Sequence, residues 1–304
     1  LVFATSFMST TALSIPAAAS DHDRPVLSPV EESQWLSHLV DSSPHRRALE
    51  HAKATYGDVP LTDLAATPGA AADNDGKKAG STGWTWAPTQ KAWPKKKGPR
   101  NYGFLPYWTL KGIDLHWDEL TEISWFSAEV AKDGSIGNTH GWGGATAKAL
   151  IAQAHKNNVQ VTLTFTLFSQ SGISAVIATP AKRTALINKI VSMVISGGGD
   201  GANIDFEGLA KSSRDQMKAF TTELTKTMHN KLPGSDVTLA TPAVDWGGAW
   251  DYDYLAENSD GLFVMAYAIH YKGGNPGPQL PMAAAAPWKH KTLQWIVDDY
   301  VKWG

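Results

Sequence analysis

The sequence predicts an α/β chain built on a parallel sheet with helices outside it, and three observations carry that prediction. From about residue 99, short apolar segments alternate with helical stretches, the pattern of repeated strand–helix units. The apolar segments are rich in β-branched residues, and some lack a polar face, as strands covered on both sides do. The glycines of "GGGDGANIDFEG" (197–208) precede a strand, whereas a dinucleotide-binding fingerprint follows one and opens a helix. That removes the main argument for a Rossmann domain. Six strands are legible. They fit either an open sheet or a (β/α)8 TIM-type barrel truncated at its C-terminus, about two strand–helix units short of closure.

Taken in order, residues 1–20, "LVFATSFMSTTALSIPAAAS", are uncharged, mostly apolar or small, and end in an A-x-A type of cleavage site. They read as a partial signal peptide without its initiator Met and basic leader. Pro16 and several Ser/Thr residues weaken the competing reading, a buried N-terminal helix. Export is therefore expected, and with it a secreted or cell-envelope location. Residues 21–98 read as an N-terminal helical segment, with patterns around Glu31–Val40 and His45–Tyr56, followed by a linker. The linker (65–98) is rich in Ala, Gly, Pro and Lys and shows no apolar period. Trp84, Trp86 and Trp93 are odd in a free tether, so they are expected to fold back onto the domain that follows. That domain, 99–304, carries strands at 101–108, 122–130, 159–168, 201–207, 236–244 and 261–269. Helices fall near 145–157, 181–196, 212–231 and 290–303.

Composition narrows the partners. A net charge of −2 gives no reason to expect nucleic acid or an anionic membrane. No segment has the ~20 apolar residues that a membrane span needs. The absence of cysteine excludes disulfides, thiolate nucleophiles and cysteine metal sites. Nothing calls for a cofactor. Thirteen tryptophans suit sugar or aromatic ligands, although large core side chains account for most such residues.

The chemistry concentrates on the fourth strand. Side chains alternate along a strand, so Asn203, Asp205 and Glu207 share one face while Ile204 and Phe206 point to the covering helices. Asp200 precedes the strand and is placed to support the group from its start or below. Asp205 and Glu207 lie ~6–7 Å apart at Cα, from the strand rise. Their charges disfavour joint ionisation, so one proton is held: Glu207, at the strand end, as donor, with Asp205 the charged partner. General-acid catalysis near neutral pH needs that arrangement. The competing readings are a divalent metal site and solvated edge acids. His229 and His270 lack ligand spacing to this strand, so no metal is assigned, and a central parallel strand is buried.

These residues resemble a family. "DGANIDFE" is similar to the signature of glycoside hydrolase family 18, the chitinase-like (β/α)8 barrels, whose fourth strand reads D-G-x-D-x-D-x-E. The resemblance covers roughly residues 100–304: "GFLPYW" matches the first strand, "VTLTFTLF" the third, and "VMAYAIHY" the sixth, which usually reads M-x-Y-D. "NIDFEG", "ATPAVDW" and "HYKGGNPGP" resemble a bacterial secreted branch. The resemblance implies that Glu207 protonates the glycosidic oxygen and that Asp205 orients the 2-acetamido group attacking the anomeric carbon. Tyr267, of one parity with Met265, then hydrogen-bonds the acetamido carbonyl; Asp200, the outlying acid of the signature, is expected with Asn203 and Met265 among the residues that bind substrate. Two residues depart from the pattern. Asn203 replaces an inner Asp, and Ala268 replaces the Asp that follows the Tyr. No seventh or eighth strand is legible, so the tryptophan that commonly floors the central sugar site has no counterpart here.

Tyr107, Trp108, Trp142, Trp246 and Trp250 lie near strand ends or in the following loops, where aromatic faces can stack on sugar; Asp245 is a weaker candidate. The expected function is a secreted glycosidase that cleaves β-1,4-linked N-acetylglucosamine polymers, chitin or peptidoglycan, by substrate-assisted retention. The alternative is a non-catalytic, lectin-like protein that binds the same polymers. Asp205, Glu207 and Tyr267 favour the enzyme, and Ala268 favours the lectin.

Overall fold

Six apolar segments form strands: β1 (Tyr102–Pro106), β2 (Glu122–Glu129), β3 (Gln160–Leu167), β4 (Gly201–Phe206), β5 (Asp236–Pro242) and β6 (Gly261–Met265). The structure, a computed structural model, describes Glu50 and residues 91–110, 113–267, 277–283 and 292–303. The signal-peptide reading, the two early helical patterns (apart from Glu50, which is helical), Trp84, Trp86 and Ala268 lie outside these residues.

All five pairings are parallel and the sheet order is β1-β2-β3-β4-β5-β6. Such an order never reverses, whereas a doubly wound sheet must reverse at its switch point. The sheet also curls. Laid flat, β1 and β6 would stand about 24 Å apart at the ~4.8 Å strand spacing. Instead the rings of Phe104 and Phe263 meet at 4.6 Å, and those of Tyr102 and Phe263 at 5.5 Å. The six units are therefore consecutive staves of a (β/α)8-type barrel, and the open-sheet reading falls away.

Helices cover the outer face. They are α1 (Ala145–Lys156), α2 (Gln170–Ile177), α3 (Pro180–Gly197), α4 (Arg214–Lys231), α5 (Tyr252–Glu257) and α6 (Leu293–Trp303). Leu163, Phe165, Ile204, Phe206 and Leu239 bury against Ile190, Val194, Phe220 and Leu224. Each full burial is worth about 1.5–3 kcal/mol. The glycine run does what a helix-to-strand turn requires. Gly198, at φ 83, caps α3, and its N–H and that of Gly199 return to the carbonyls of Ile195 and Val194. Gly197 and Gly199 lie against the Trp142 indole, where an added Cβ would come within 3 Å of ring atoms.

One device recurs at the N-terminal end of the sheet. Asp200 Oδ2 accepts from Val161 N (2.8 Å) and pairs with His155 Nε2 (2.7 Å). Asp260 Oδ2 accepts from Val237 N (2.7 Å) and pairs with His229 Nε2 (2.8 Å). Each aspartate thus ties the turn before its own strand to the preceding strand and to the helix before that strand. The first of these also receives the end of the linker. Trp93 N donates to Asp200 Oδ1 (2.6 Å), and its indole stacks on His155 at 4.6 Å. Lys95 pairs with Asp236, and Arg100 bridges Asp236 and Glu122. Residues 91–98, read from the sequence as the end of a free tether, therefore dock under the barrel; the rest of 65–98 lies outside the described residues. Trp93 folds back as expected, onto the base of the sheet. Burial pushes the Glu122 carboxyl above the usual carboxylate range, against the pull of Arg100. Among the described residues, no helix is long and apolar enough to cross a membrane.

Inside the curl, Tyr102 shares a hydrogen bond with Thr162 Oγ1 (2.8 Å), and burial pushes its phenol up to about 12. A raised folded-state value means that stability is intact below the ordinary value of 10.0 and is lost as pH rises through about 12. Two units correspond to roughly 2–3 kcal/mol. Alkaline titration is therefore expected to show part of the phenolate absorbance rising only as the far-UV dichroism collapses. A smooth, non-cooperative phenolate curve with secondary structure intact would overturn that expectation.

Candidate active site

Strand β4 sets the site because its inner face carries no apolar side chain. Thr164 stands opposite Asn203 and Thr166 opposite Asp205 on β3, with Thr238 opposite Asn203 on β5. Asn203 and Asp205 are fully buried, and Glu207, one residue past the strand, is 4% exposed. The alternation read from the sequence thus produces one inward column, with Ile204 and Phe206 packed behind it. Glu207 N–H donates to the Leu167 carbonyl (3.2 Å), which pins the acid to the end of β3 as well as to its own strand. Gly208 follows at φ 89 and turns the chain away, leaving the carboxylate at the C-terminal rim.

Asn203 donates from Nδ2 to Thr238 Oγ1 (2.9 Å). The amide is thus held by β5 below Asp205, and it adds no charge to the column. Tyr267 reaches the same place from β6. Beyond Met265 the chain makes two tight turns, Ala266 N to the Val264 carbonyl and Tyr267 N to the Met265 carbonyl (2.8 and 2.7 Å). Burial, then the charges of Asp205 and Glu207, push the Tyr267 hydroxyl well above the ordinary phenol range. A buried phenol near two carboxylates resists losing its proton. The hydroxyl stays protonated and so able to donate. Met265 is buried on the same stave.

The rim near β1 and β2 is aromatic. Trp108 meets Tyr107 edge-on at 4.9 Å and Phe126 at 6.0 Å. Tyr107 is buried, and one face of its ring is covered by His140 at 4.0 Å, so the half-buried Trp108 is the better platform for a sugar. Trp246 lies partly buried against Trp295 at 5.5 Å, on the β5–β6 side.

Three expectations need correction. Asp200 does not line this site: it precedes β4, seven residues and about 23 Å of extended chain from Glu207, and its oxygens serve the base of the sheet. Trp142 and Trp250 are buried anchors. Trp142 packs on Trp125 and donates to the Met193 carbonyl (3.0 Å), and Trp250 is 5% exposed. Asp245 caps its own loop by accepting from Ala249 N (3.0 Å) and Trp250 N (2.7 Å).

The sequence pattern gave no sign of Glu129 and His140, which meet at the rim with Nε2 2.8 Å from Oε1. Strict alternation along "EISWFSAE" would put Glu129 on the face of Trp125, under the helices. A bulge intervenes: Trp125 stands opposite Leu163, but the next aligned pair is Ala128 with Phe165. Phe126 and Ser127 together face Thr164, and the extra residue swaps the faces of all that follows. No residue type in this segment announces the bulge.

Comparison with known proteins adds the following. The sequence profile described as "Glycosyl hydrolases family 18" matches residues 96–304. The "Putative sporulation-specific glycosylase YdhD" of Bacillus subtilis (strain 168) is 28% identical over 197 residues, which is 59% of this chain and 45% of that protein. Its crystal structure superposes with a TM-score of 0.51 at 26% identity, covering 59% of this chain and 58% of that one. The C-terminal domain of a Desulfitobacterium hafniense DCB-2 protein described as a "putative chitinase" gives a TM-score of 0.55 at 24% identity, over 69% and 63% of the two chains. Catalytic domain 2 of an Ostrinia furnacalis Group II chitinase, a mutant solved in complex with an N-acetylglucosamine oligomer, gives 0.57 at 17%, over 67% and 60%. These last two likenesses speak for the fold. The chain spans less than half the length of the Bacillus relative.

Proposed function

Because the chain belongs to family 18 of the glycosyl hydrolases, we propose that it is a secreted glycosidase cleaving β-1,4-linked N-acetylglucosamine polymers of the chitin type. One observation carries the reading: Asp205 and Glu207 share the buried inward face of β4, with Glu207 at its C-terminal end. In the mechanism, Glu207 donates its proton to the glycosidic oxygen as the bond to the leaving sugar breaks. The carbonyl oxygen of the substrate's own 2-acetamido group attacks the anomeric carbon, giving a cyclic oxazolinium ion. Asp205 accepts the acetamido N–H and offsets the positive charge that develops on that group. Tyr267, protonated as described, donates to the acetamido oxygen. Water then attacks the anomeric carbon from the face the leaving sugar vacated, breaking its bond to the acetamido oxygen, with Glu207 taking the water's proton. The configuration is retained, and the substrate supplies the nucleophile.

Asn203, which donates to Thr238 Oγ1, puts an amide in the place below Asp205. The Ostrinia domain, which shares the fold, was solved with an N-acetylglucosamine oligomer, and that supports the substrate class. Residues 1–20, uncharged and ending in an A-x-A type of cleavage site, support export.

The test is incubation of the protein with N-acetylated chitooligosaccharides, following new reducing ends by NMR. The expected result is release of shorter oligomers whose first-formed ends are β-anomers. First-formed α-anomers would remove the substrate-assisted route. Binding without any release would move the protein to the lectin-like reading, which Ala268, in place of the usual acid after the sixth-strand Tyr, favours.

A further inference from the structure

The bulge in β2 has a consequence at the rim. After it, Glu129 stands opposite Thr166, and Thr166 stands opposite Asp205. The three residues form one row across neighbouring strands, so Glu129 lies about 10 Å from Asp205 at Cα, two strand spacings away. Ser127, of one parity with Glu129, brings its Oγ to 3.4 Å from Thr166 Oγ1, which confirms that this segment faces inward. The Glu129 side chain keeps 27% of its surface exposed, whereas His140 keeps 3%. The imidazole is fixed from three sides. It stacks on Tyr107, its Nε2 meets Glu129, and its backbone N–H donates to Asn138 Oδ1 (2.8 Å) at a φ of 48. A left-handed backbone at a non-glycine residue is held only where the surroundings over-determine it. The result is a carboxylate held by His140 at the rim, on the inward face and in the row of Asp205.

Resting on the hydrolase reading, we infer that Glu129, held by His140, is a specificity-determining residue that selects a free 2-amino sugar next to the N-acetylated sugar seated on Asp205. Side chains that reach inward from strands two apart can meet neighbouring sugars of one glycan. A carboxylate only accepts hydrogen bonds, and its strongest partner is a cation. A glucosamine ammonium satisfies both conditions, an acetamido group offers one neutral N–H, and an anionic substituent is repelled. The preferred ligand is therefore a partly N-deacetylated chitin in which an acetylated unit neighbours a free amine.

Binding tests this without turnover. Titration calorimetry on the Glu207→Gln protein would compare fully N-acetylated and partly N-deacetylated chitooligosaccharides of equal length. The same pair is then measured after adding Glu129→Gln. The expected result is a preference for the deacetylated oligomer that falls roughly tenfold to a hundredfold with Glu129→Gln, the loss of one charge-assisted hydrogen bond. Affinity for the acetylated oligomer should stay unchanged. With Glu129 intact, the preference should also shrink as salt is raised. Equal loss for both oligomers would mark Glu129 as merely structural, and an unchanged or salt-independent preference would also overturn the inference. The hydrolase reading fails separately, on absent product release by the unmutated protein.

Discussion

Replacement of Glu207 by Gln is expected to lower turnover of N-acetylated chitooligosaccharides by about 10²–10⁴-fold, the range for loss of a general acid–base group. The substitution is nearly isosteric, which matters where the side chain is 4% exposed. Its backbone bond to Leu167 is untouched, so the rim should keep its shape. Gln can still donate a hydrogen bond to the glycosidic oxygen, but it cannot release the proton when the bond breaks. Kd for the oligomer should therefore change little while kcat falls, as it does when an interaction made only in the transition state is removed. The pH profile should change too, because the limb that reports ionisation of the acid would vanish from the residual activity. Equal turnover by both proteins would take the acid role away from Glu207. A rise in Kd with kcat unchanged would make it a binding residue.

That prediction rests on a feature visible in the sequence. Acids at alternate positions in "NIDFE" need only the twofold period of a strand to share one face, and a parallel neighbour on each side buries them. The strand–helix alternation was legible for the same reason: β-branched runs and helices such as α3 and α4 are long enough to display their periods. What was not legible depends on events with no compositional mark. Helices α2 and α5, eight and six residues long, show too few turns for an apolar stripe, and their capping Ser169 and Asp251 look like ordinary loop residues. The β2 bulge moves Glu129 across the sheet without a Gly or Pro to mark it. Trp142 and Trp250 were ambiguous because an aromatic near a strand end serves equally as a sugar platform or a packing anchor. Only burial decides between them. Asp200 shows the same limit in charge: the sequence pattern that includes it says nothing of which end of the strand its carboxylate serves.

Gly201→Ala is expected to cause the largest loss of stability. A Cβ on Gly201 would sit 1.9 Å from the Asp236 carbonyl oxygen and 2.7–2.8 Å from that residue's carbonyl carbon and nitrogen. These are backbone atoms of the paired strand, so no rotamer relieves the clash, and β4 and β5 must separate where they begin. Overpacking alone costs about 1–3 kcal/mol and occasionally more. Here the displaced residue also carries the Asp236 carboxylate, buried and paired with Arg100 and Lys95. Breaking a buried pair adds about 3–5 kcal/mol. The sum approaches the ~5–15 kcal/mol that holds a whole domain together. Gly201→Ala should thus drop the urea midpoint steeply or leave the chain unfolded. Gly198→Ala is the control: its Cβ meets nothing within 4 Å, and its φ of +83 predicts only the cost of a left-handed alanine, about 1–2 kcal/mol. Similar small losses in both would mean that the sheet slides to accept the methyl group. A large loss at Gly201 alone would show that the glycine before the acids is required by strand contact, which fixes the register that lifts Asp205 and Glu207 to the rim.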